Sequence, residues 1–275
     1  MAFVRRHLLS LALRGAWLIA ESAVGFLAGC SALPPAVDLS VKNALAPTGS
    51  LRVGVYPGSP TSLVQHPTTG ERAGIALDLG RALAARLGVP VQVVEFERVA
   101  QVVDAVKTGV VDMTFTNATA ARARDVDFTE PLLSLELGYI VAATSVITQA
   151  SGVDQPGVKV GVTQGSSSQA TLGRLYKQAS LVPATSVVHA QNLLRQGQVQ
   201  AYATNKAILF EMLPGLPGFK VLDGRWGEEH MAIAVPKGRE SGQAFLQQFA
   251  QQAQSSGLLK DIIRKSGLQG TVPGR

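Results

Sequence analysis

Cysteine is nearly absent. Cys30 is the only one in 275 residues, so no intramolecular disulfide can hold the fold, and a single thiol needs its own explanation. Aromatic residues are scarce, at 5%, and they are not interleaved with basic ones. No run of five or more Lys or Arg occurs, which removes the usual electrostatic footprint of a nucleic-acid binder. Long apolar runs are missing as well: Ser22–Val37, the longest uncharged stretch of the N-terminal segment, is too short and too rich in small residues for a permanent membrane span. No G-x-S-x-G, H-E-x-x-H or Walker loop is present, so the signatures of serine hydrolases, zincins and nucleoside triphosphatases are absent. Neither sign of charge dominates. The chain carries +6, and with Arg5, Arg6, Arg14 and Glu21 confined to the first thirty residues the remainder carries +4.

What is present is a globular composition, 46% hydrophobic, arranged in alternating short apolar runs and helical repeats. Leu51–Val55 alternates as a strand and stops at Tyr56-Pro57-Gly58. Thr68-Thr69-Gly70-Glu71 reads as a hairpin-like turn. Leu79, Leu83 and Leu87 then recur every four residues up to Gly88, which predicts an amphipathic helix with a glycine C′. Asp78 suits a structural acceptor at that helix start. Val91–Phe96 is a strand, Val99, Val102, Val103 and Val106 are helical, and Val110–Phe115 is a strand again. Strand, helix, strand, helix, strand implies right-handed crossovers and a mostly parallel sheet.

After Gly138–Ala143, a further strand, residues 144–156 are polar and turn-rich, and a crossing into a second lobe is placed there. The alternation then restarts: Val158–Val162 as a strand, Gln164–Ser168 as a turn, and a helix carrying Leu172, Leu175 and Tyr176. Ser186–Val188 and Val199–Ala203 are read as strands around a helix with Leu193 and Leu194. Phe219–Leu222 and Met231–Val235 are the last strands. Phe245, Phe249 and Ala253 repeat at helical spacing in the tail. Glu228-Glu229-His230 is read as an exposed charged turn, since three adjacent residues point in different directions.

The run Gly109–Leu133 changes character abruptly after its strand. Thr116-Asn117-Ala118-Thr119 offers hydroxyls, an amide and backbone N–H groups just past a strand's carboxyl end, where open α/β sheets place ligands. Arg122 follows, and a guanidinium fork can bind both oxygens of a carboxylate. The same run also fits a solvated charged turn. Likewise, Gly165-Ser166-Ser167-Ser168 gathers free N–H groups at a helix start, an anion site or a plain N-cap.

GxVD, then TxxR on Thr119 and Arg122, then DFxxP on Asp127, Phe128 and Pro131, resembles the bacterial family-3 extracellular solute-binding proteins, receptors of polar amino-acid ABC importers. GIALDLGRALAARLG and HMAIAVPKG resemble further runs of that family, and the likeness spans about Leu51 to Leu268. It implies an α/β, two-lobed periplasmic-binding-protein-like fold of type II, each lobe a mostly parallel sheet with flanking helices. Lobe one is then 51–141 with 236–268, and lobe two 142–235. The resemblance makes Arg122 the α-carboxylate ligand and closes Ser166 and Ser167 on it from the opposite lobe. Tyr56, Phe115, Asn117, Thr119 and Asn205 complete the expected ligand positions, with no metal and no cofactor.

Three positions depart from the family pattern. Asn205 stands where an ammonium-binding aspartate is usual, Tyr56 where another acid is frequent, and Val99 where an aromatic often stacks on the ligand. A neutral amide cannot offset an ammonium as a carboxylate does, so an organic acid or modified amino acid competes with a plain amino acid as the ligand. Two other readings use the same fold. One is a periplasmic dehydratase, for which Glu95, Glu97 and Glu136 are the only acids to nominate; the other is a ligand sensor without transport.

Leu27-Ala28-Gly29-Cys30, after a positive start and a mostly apolar segment, resembles the lipobox of bacterial lipoproteins, although Arg14 and Glu21 interrupt that segment. It implies a signal peptide over 1–30 and lipidation of Cys30. Residues 31–50, rich in Ala, Pro and Ser, then read as a flexible tether. The expected partners are a small carboxylate-bearing ligand, ABC permease subunits and the membrane through the anchor, for a monomeric protein in the periplasm or cell envelope.

Overall fold

Repeated strand–helix–strand units build both halves of the chain, because short β-branched runs alternate with helices that bury one apolar stripe. The computed structural model describes residues 37–272; the signal segment and Cys30 lie outside the described residues. In chain order the first lobe opens with α1 (Leu39–Leu45), β1 (Leu51–Val55), a hairpin of β2 (Val64–Gln65) and β3 (Arg72–Ala73), α2 (Ile75–Leu87) and β4 (Val91–Glu95). It continues with α3 (Val99–Lys107), β5 (Thr114–Asn117) and β6 (Val126–Phe128). β7 (Leu133–Ala142) crosses to the second lobe, which holds β8 (Lys159–Thr163), α4 (Ser167–Leu175), β9 (Ser180–Ala184), α5 (Val187–Arg195), β10 (Ala201–Asn205), α6 (Lys206–Met212) and β11 (Phe219–Val221). β12 (Gly227–Pro236) returns to the first lobe, where α7 (Glu240–Ser255) and α8 (Leu258–Lys265) pack.

In lobe one β1 and β4 are parallel, Met113 bridges Val53 in the same sense, and β12 lies antiparallel to β5 and β6. In lobe two β8 pairs in parallel with β9 and β10, while β10 and β11 run antiparallel to β7. The parallel core of each lobe is as expected, and apart from the small β2–β3 hairpin the antiparallel strand pairs all involve the two crossing strands.

Those strands join both ladders. The first half of β7 pairs with the first half of β12, Leu133 opposite Met231 and Leu137 opposite Gly227. The hydrophobic cores nevertheless stay separate. Leu135, Met231, Ile233 and Val235 fill the first lobe's core with Val53, Leu83 and Phe249. Tyr139 and Val141 join Val160 and Leu172 on one face of the second sheet, and Ile140 joins Leu193, Tyr202 and Leu209 on the other, as the period of two requires. The crossings therefore fall between Leu135 and Tyr139 and just before Met231, earlier than the expected boundaries near 142 and 235. Apolar residues alone cannot mark the first boundary, because β7 keeps its apolar pattern while changing the core it serves; at the second, the polar Glu228-Glu229-His230 start of β12 hides the strand.

Leu79, Leu83 and Leu87 are fully buried on α2, and Gly88 closes that helix at φ +67°. Asp78 accepts from Arg81 in the same first turn and approaches Lys265 of α8. Three local expectations change. Ser186–Val188 is a helix start instead of a strand: the Ser186 hydroxyl accepts from the His189 N–H at 3.0 Å, and this cap outweighs the β-branched pair behind it. The strand expected at Val110–Phe115 begins only at Thr114. The tether expected over 31–50 holds a helix at Leu39–Leu45, capped by Asp38, with Leu45 buried in the first core.

Asp112 explains the late start of β5 and ties α1 down. Its carboxylate is wholly buried and takes two bonds from the Arg52 guanidinium, at 2.7 and 2.8 Å, one from the Arg52 N–H and one from Arg239 at 2.9 Å. Arg239 also donates to the Ala44 carbonyl at the end of α1, at 2.6 Å. Removing the anion leaves two largely covered guanidinium groups without a counter-charge. Asp112→Ala is expected to lower stability by roughly 3 kcal/mol, the low end for breaking a buried pair because both arginines keep some water. Urea unfolding of the purified protein checks this, and a loss under 1 kcal/mol would show the network to be dispensable.

Candidate functional site

A cavity lies between the lobes, reached by the carboxyl ends of β1, β5, β8 and β10, the place where open α/β sheets bind ligands. Lobe one contributes Tyr56, Glu97, Arg98, Val99, Thr116, Asn117, Arg122 and Met231; lobe two contributes Thr163, Ser166, Ser167, Ser168, Val187, Thr204, Asn205 and Ile208; Glu229 enters from the crossing. Of the eight expected ligand positions, Tyr56, Asn117, Arg122, Ser166, Ser167 and Asn205 meet there.

Phe115 and Thr119 do not. Strand alternation sends Phe115 into the first core and turns its neighbour Thr116 to the cavity. Thr119 serves the turn instead, its hydroxyl accepting from the Arg122 N–H at 3.2 Å. Thr116 is thus a site residue that parity along β5 reveals. Asn117 holds β12 in place: its Oδ1 accepts from the His230 N–H at 3.0 Å.

The Arg122 side chain is anchored at one end. Its Nη1 donates to the Thr116 hydroxyl at 2.8 Å and to the Asn117 carbonyl at 3.2 Å, leaving the rest of the fork without a protein acceptor. Burial pushes its guanidinium below the ordinary value, opposed by the charge of Glu229 and by Tyr56. Desolvation of this kind is what a bound anion reverses. Tyr56 is itself pushed up by burial; its hydroxyl donates to Ser59 at 3.3 Å and its N–H to the Ser62 hydroxyl at 2.8 Å.

Glu229 corrects the sequence reading most. It is 6% exposed, not a member of a solvated turn, because β12 extends back through it and alternation turns Glu229 inward while its neighbour His230 is exposed. Its Oε1 accepts from the Ser167 hydroxyl at 2.7 Å and its Oε2 from the Asn205 amide at 3.0 Å. Asn205 in turn caps α6, accepting from the Ile208 N–H at 3.1 Å. An aspartate at 205 could cap the helix but could not donate to Glu229. The amide thus accompanies a buried carboxylate at position 229 that lines the same cavity, so a neutral residue at 205 does not leave the cleft without an acid.

Two helix starts, α4 behind Ser166 and α6 behind Asn205, converge on this one carboxylate, and their positive ends favour its charge. Ser166 itself is occupied as the α4 cap, accepting from the Gln169 N–H at 3.1 Å. Among the described residues neither Arg122 nor Glu229 makes an ion pair within 4 Å. A buried carboxylate and a partly covered guanidinium therefore face one cavity without neutralising each other directly.

The lobes touch at two lips. A Cβ on Gly58 would lie 3.0 Å from the Val187 Cβ, and one on Gly165 only 2.6 Å from the Ala100 Cβ. Both glycines have positive φ, +79° and +72°, so the lips close on residues that tolerate neither a side chain nor another backbone shape. The acids nominated for a dehydratase are engaged or exposed: Glu95 pairs with Arg72, Glu136 with Lys206 and Arg225, and the Glu97 side chain is 71% exposed.

Two lobes joined by two crossing strands around a charged cleft define a hinged solute-binding protein. The chain belongs to the bacterial extracellular solute-binding proteins, family 3, whose model matches residues 51–269. It is 22% identical over 237 residues to the "Glutamine-binding protein" of Geobacillus stearothermophilus, covering 80% of this chain and 90% of that one. It is also 22% identical over 206 residues to the "ABC transporter glutamine-binding protein GlnH" of Bacillus subtilis (strain 168), covering 74% and 75%. Among solved structures it is similar to the amino acid ABC transporter substrate-binding protein AbpA of Streptococcus pneumoniae bound to L-arginine, with TM-score 0.73, 22% identity and coverage of 82% and 97%. It is similar too to a solute receptor for L-cysteine of Neisseria gonorrhoeae, with TM-score 0.73, 24% identity and coverage of 82% and 92%. These likenesses carry the fold.

Replacing Asn205 by Asp would set a second carboxylate about 3 Å from Glu229, and two such charges cannot both persist there. The repulsion is relieved only by taking up a proton that the unfolded chain does not hold at neutral pH, so the stability deficit is complete at pH 7 and shrinks as the pH falls. Thermal melts of Asn205→Asp against wild type at pH 7 and pH 4.5 are expected to show a gap that narrows in acid. An equal gap at both values would mean the two side chains do not face each other.

Proposed function

We propose that the protein is the ligand-capturing component of an ABC importer and that its ligand is an α-amino acid, held by Arg122 at the carboxylate and by Glu229 at the ammonium. One observation carries the reading: a partly covered cation, Arg122, and a buried anion, Glu229, line one cavity, and among the described residues neither has an ion-pair partner. A zwitterion supplies the missing partner to each. The family match and the names of the two glutamine-binding relatives support it.

Capture follows from where the groups sit. Arg122, Thr116 and Tyr56 belong to lobe one and Glu229 to the crossing, so the ligand's charges meet the open protein first. Hinge rotation then adds the free backbone N–H groups of lobe two at the start of α4, contacts that the open state lacks; such differential contacts drive closure. The protein is read as a monomer tethered to the cell envelope through a lipid on Cys30.

Calorimetry on the purified chain tests the site. Arg122→Ala is expected to weaken binding by about 3–5 kcal/mol, a few hundred-fold or more, since it leaves a desolvated carboxylate unpaired. Glu229→Gln keeps the shape and removes the charge, so an amino acid is expected to lose its advantage over its own desamino analogue. A best ligand with no ammonium group, or unchanged amino-acid binding by both variants, would sink the assignment. For the anchor, Cys30→Ser is expected to release the protein from the membrane fraction or block its maturation; wild-type protein free of lipid by mass spectrometry would refute it.

A further inference from the structure

We propose that the side chain of the bound amino acid carries a second acidic group and that Arg98 reads it; this rests on the Arg122 and Glu229 assignment above. Arg98 opens α3 and lines the same cavity. Its Nε is buried and has no hydrogen-bond partner, a condition shared with only one other buried side-chain atom among the described residues. Its single ion pair is a 3.5 Å approach to Glu97, whose side chain is 71% exposed while that of Arg98 is 19% exposed. A contact that long, to a solvated carboxylate, leaves most of a five-donor fork unsatisfied.

Other arginines of this lobe show what a structural role looks like here. Arg52 and Arg239 converge on the buried Asp112 and donate to it at 2.7 to 2.9 Å. Arg98 has no such acceptor, yet it is as well covered as Arg52. A ligand anion in the cavity that Arg98 lines would supply one.

Charge narrows the ligand further. The covered charges of the cavity are Arg98 and Arg122 against Glu229. The two charges of an amino acid's main chain are matched by Arg122 and Glu229, and Arg98 is left over. A side-chain carboxylate completes the balance and can meet the fork with two oxygens. An amide offers one acceptor and no charge. A basic side chain would bring a further cation against Arg98, which disfavours it.

The test is calorimetry of the wild-type protein, freed of co-purifying ligand by dialysis, against L-aspartate, L-glutamate, L-asparagine, L-glutamine, L-arginine and L-lysine. An acidic amino acid is expected to bind at least tenfold more tightly than its own amide, and the basic ones weakest. In Arg98→Met the acid-to-amide ratio is expected to fall to about one, the acid losing more affinity than the amide, while Arg122→Ala loses both. Arg98→Gln, which keeps donors without charge, is expected to behave as Arg98→Met, and the wild-type ratio decides alone if neither variant folds. A wild-type preference for an amide or a basic amino acid, or an acid-to-amide ratio that survives Arg98→Met, overturns this proposal and leaves amino-acid capture standing. Failure to bind any amino acid removes the underlying reading as well.

Discussion

The carboxylate of Glu229 is the constraint on which the cleft depends. It is buried at the point where β12 leaves one lobe for the other, with hydrogen bonds to two neutral groups and no cation within ion-pair distance. Hydrogen bonds to a charged group are worth roughly 1.5–3 kcal/mol each, so Ser167 and Asn205 offset a large part of the desolvation, and two helix ends add to it. Both donors belong to lobe two. The carboxylate therefore fixes how α4 and α6 meet the crossing strand, and its two donors hold it oriented toward the cavity.

Asn205 shows how substitution at one position can be read only with another. Its Oδ1 serves α6 and its Nδ2 serves Glu229, so both ends of the amide are in use, which no other side chain of that size allows at neutral pH. A carboxylate at 205 or at 229 gives the cleft one negative charge; carboxylates at both give repulsion. The neutral residue at 205 is thus the partner of the acid at 229, not evidence that the cleft has no acid.

Much of this was legible in the chain before the structure. The strand at Leu51, the Leu79–Leu87 stripe, the two-lobed order of elements and the position of Arg122 follow from period, punctuation and motif spacing, all of which are local. Glu229 was missed because the triplet Glu228-Glu229-His230 looks solvated, and a turn was the simplest home for it. The available signal was parity: Met231, Ile233 and Val235 share one face of β12, and stepping back by two reaches Glu229. Ser186 and Leu39–Leu45 were missed for a different reason. A cap outweighed β-branched residues in one case, and in the other a contact far along the chain, Leu45 against α7, made a helix where composition suggested a linker. The crossing in β7 could not be read, since an apolar residue does not declare which core it fills, and the one in β12 was hidden by the charged triplet before Met231.

The distribution of charge across the cleft has a mechanical consequence. Every formally charged side chain lining the cavity, Glu97, Arg98, Arg122 and Glu229, belongs to lobe one or to the crossing, whereas lobe two presents hydroxyls, an amide and aliphatic groups. Lobe two therefore brings no charge of its own against those of lobe one, so no like charges are forced together where the lobes meet. What closure adds is neutral donors and the contacts at Gly58 and Gly165, where the absence of side chains lets Val187 and Ala100 come within van der Waals reach.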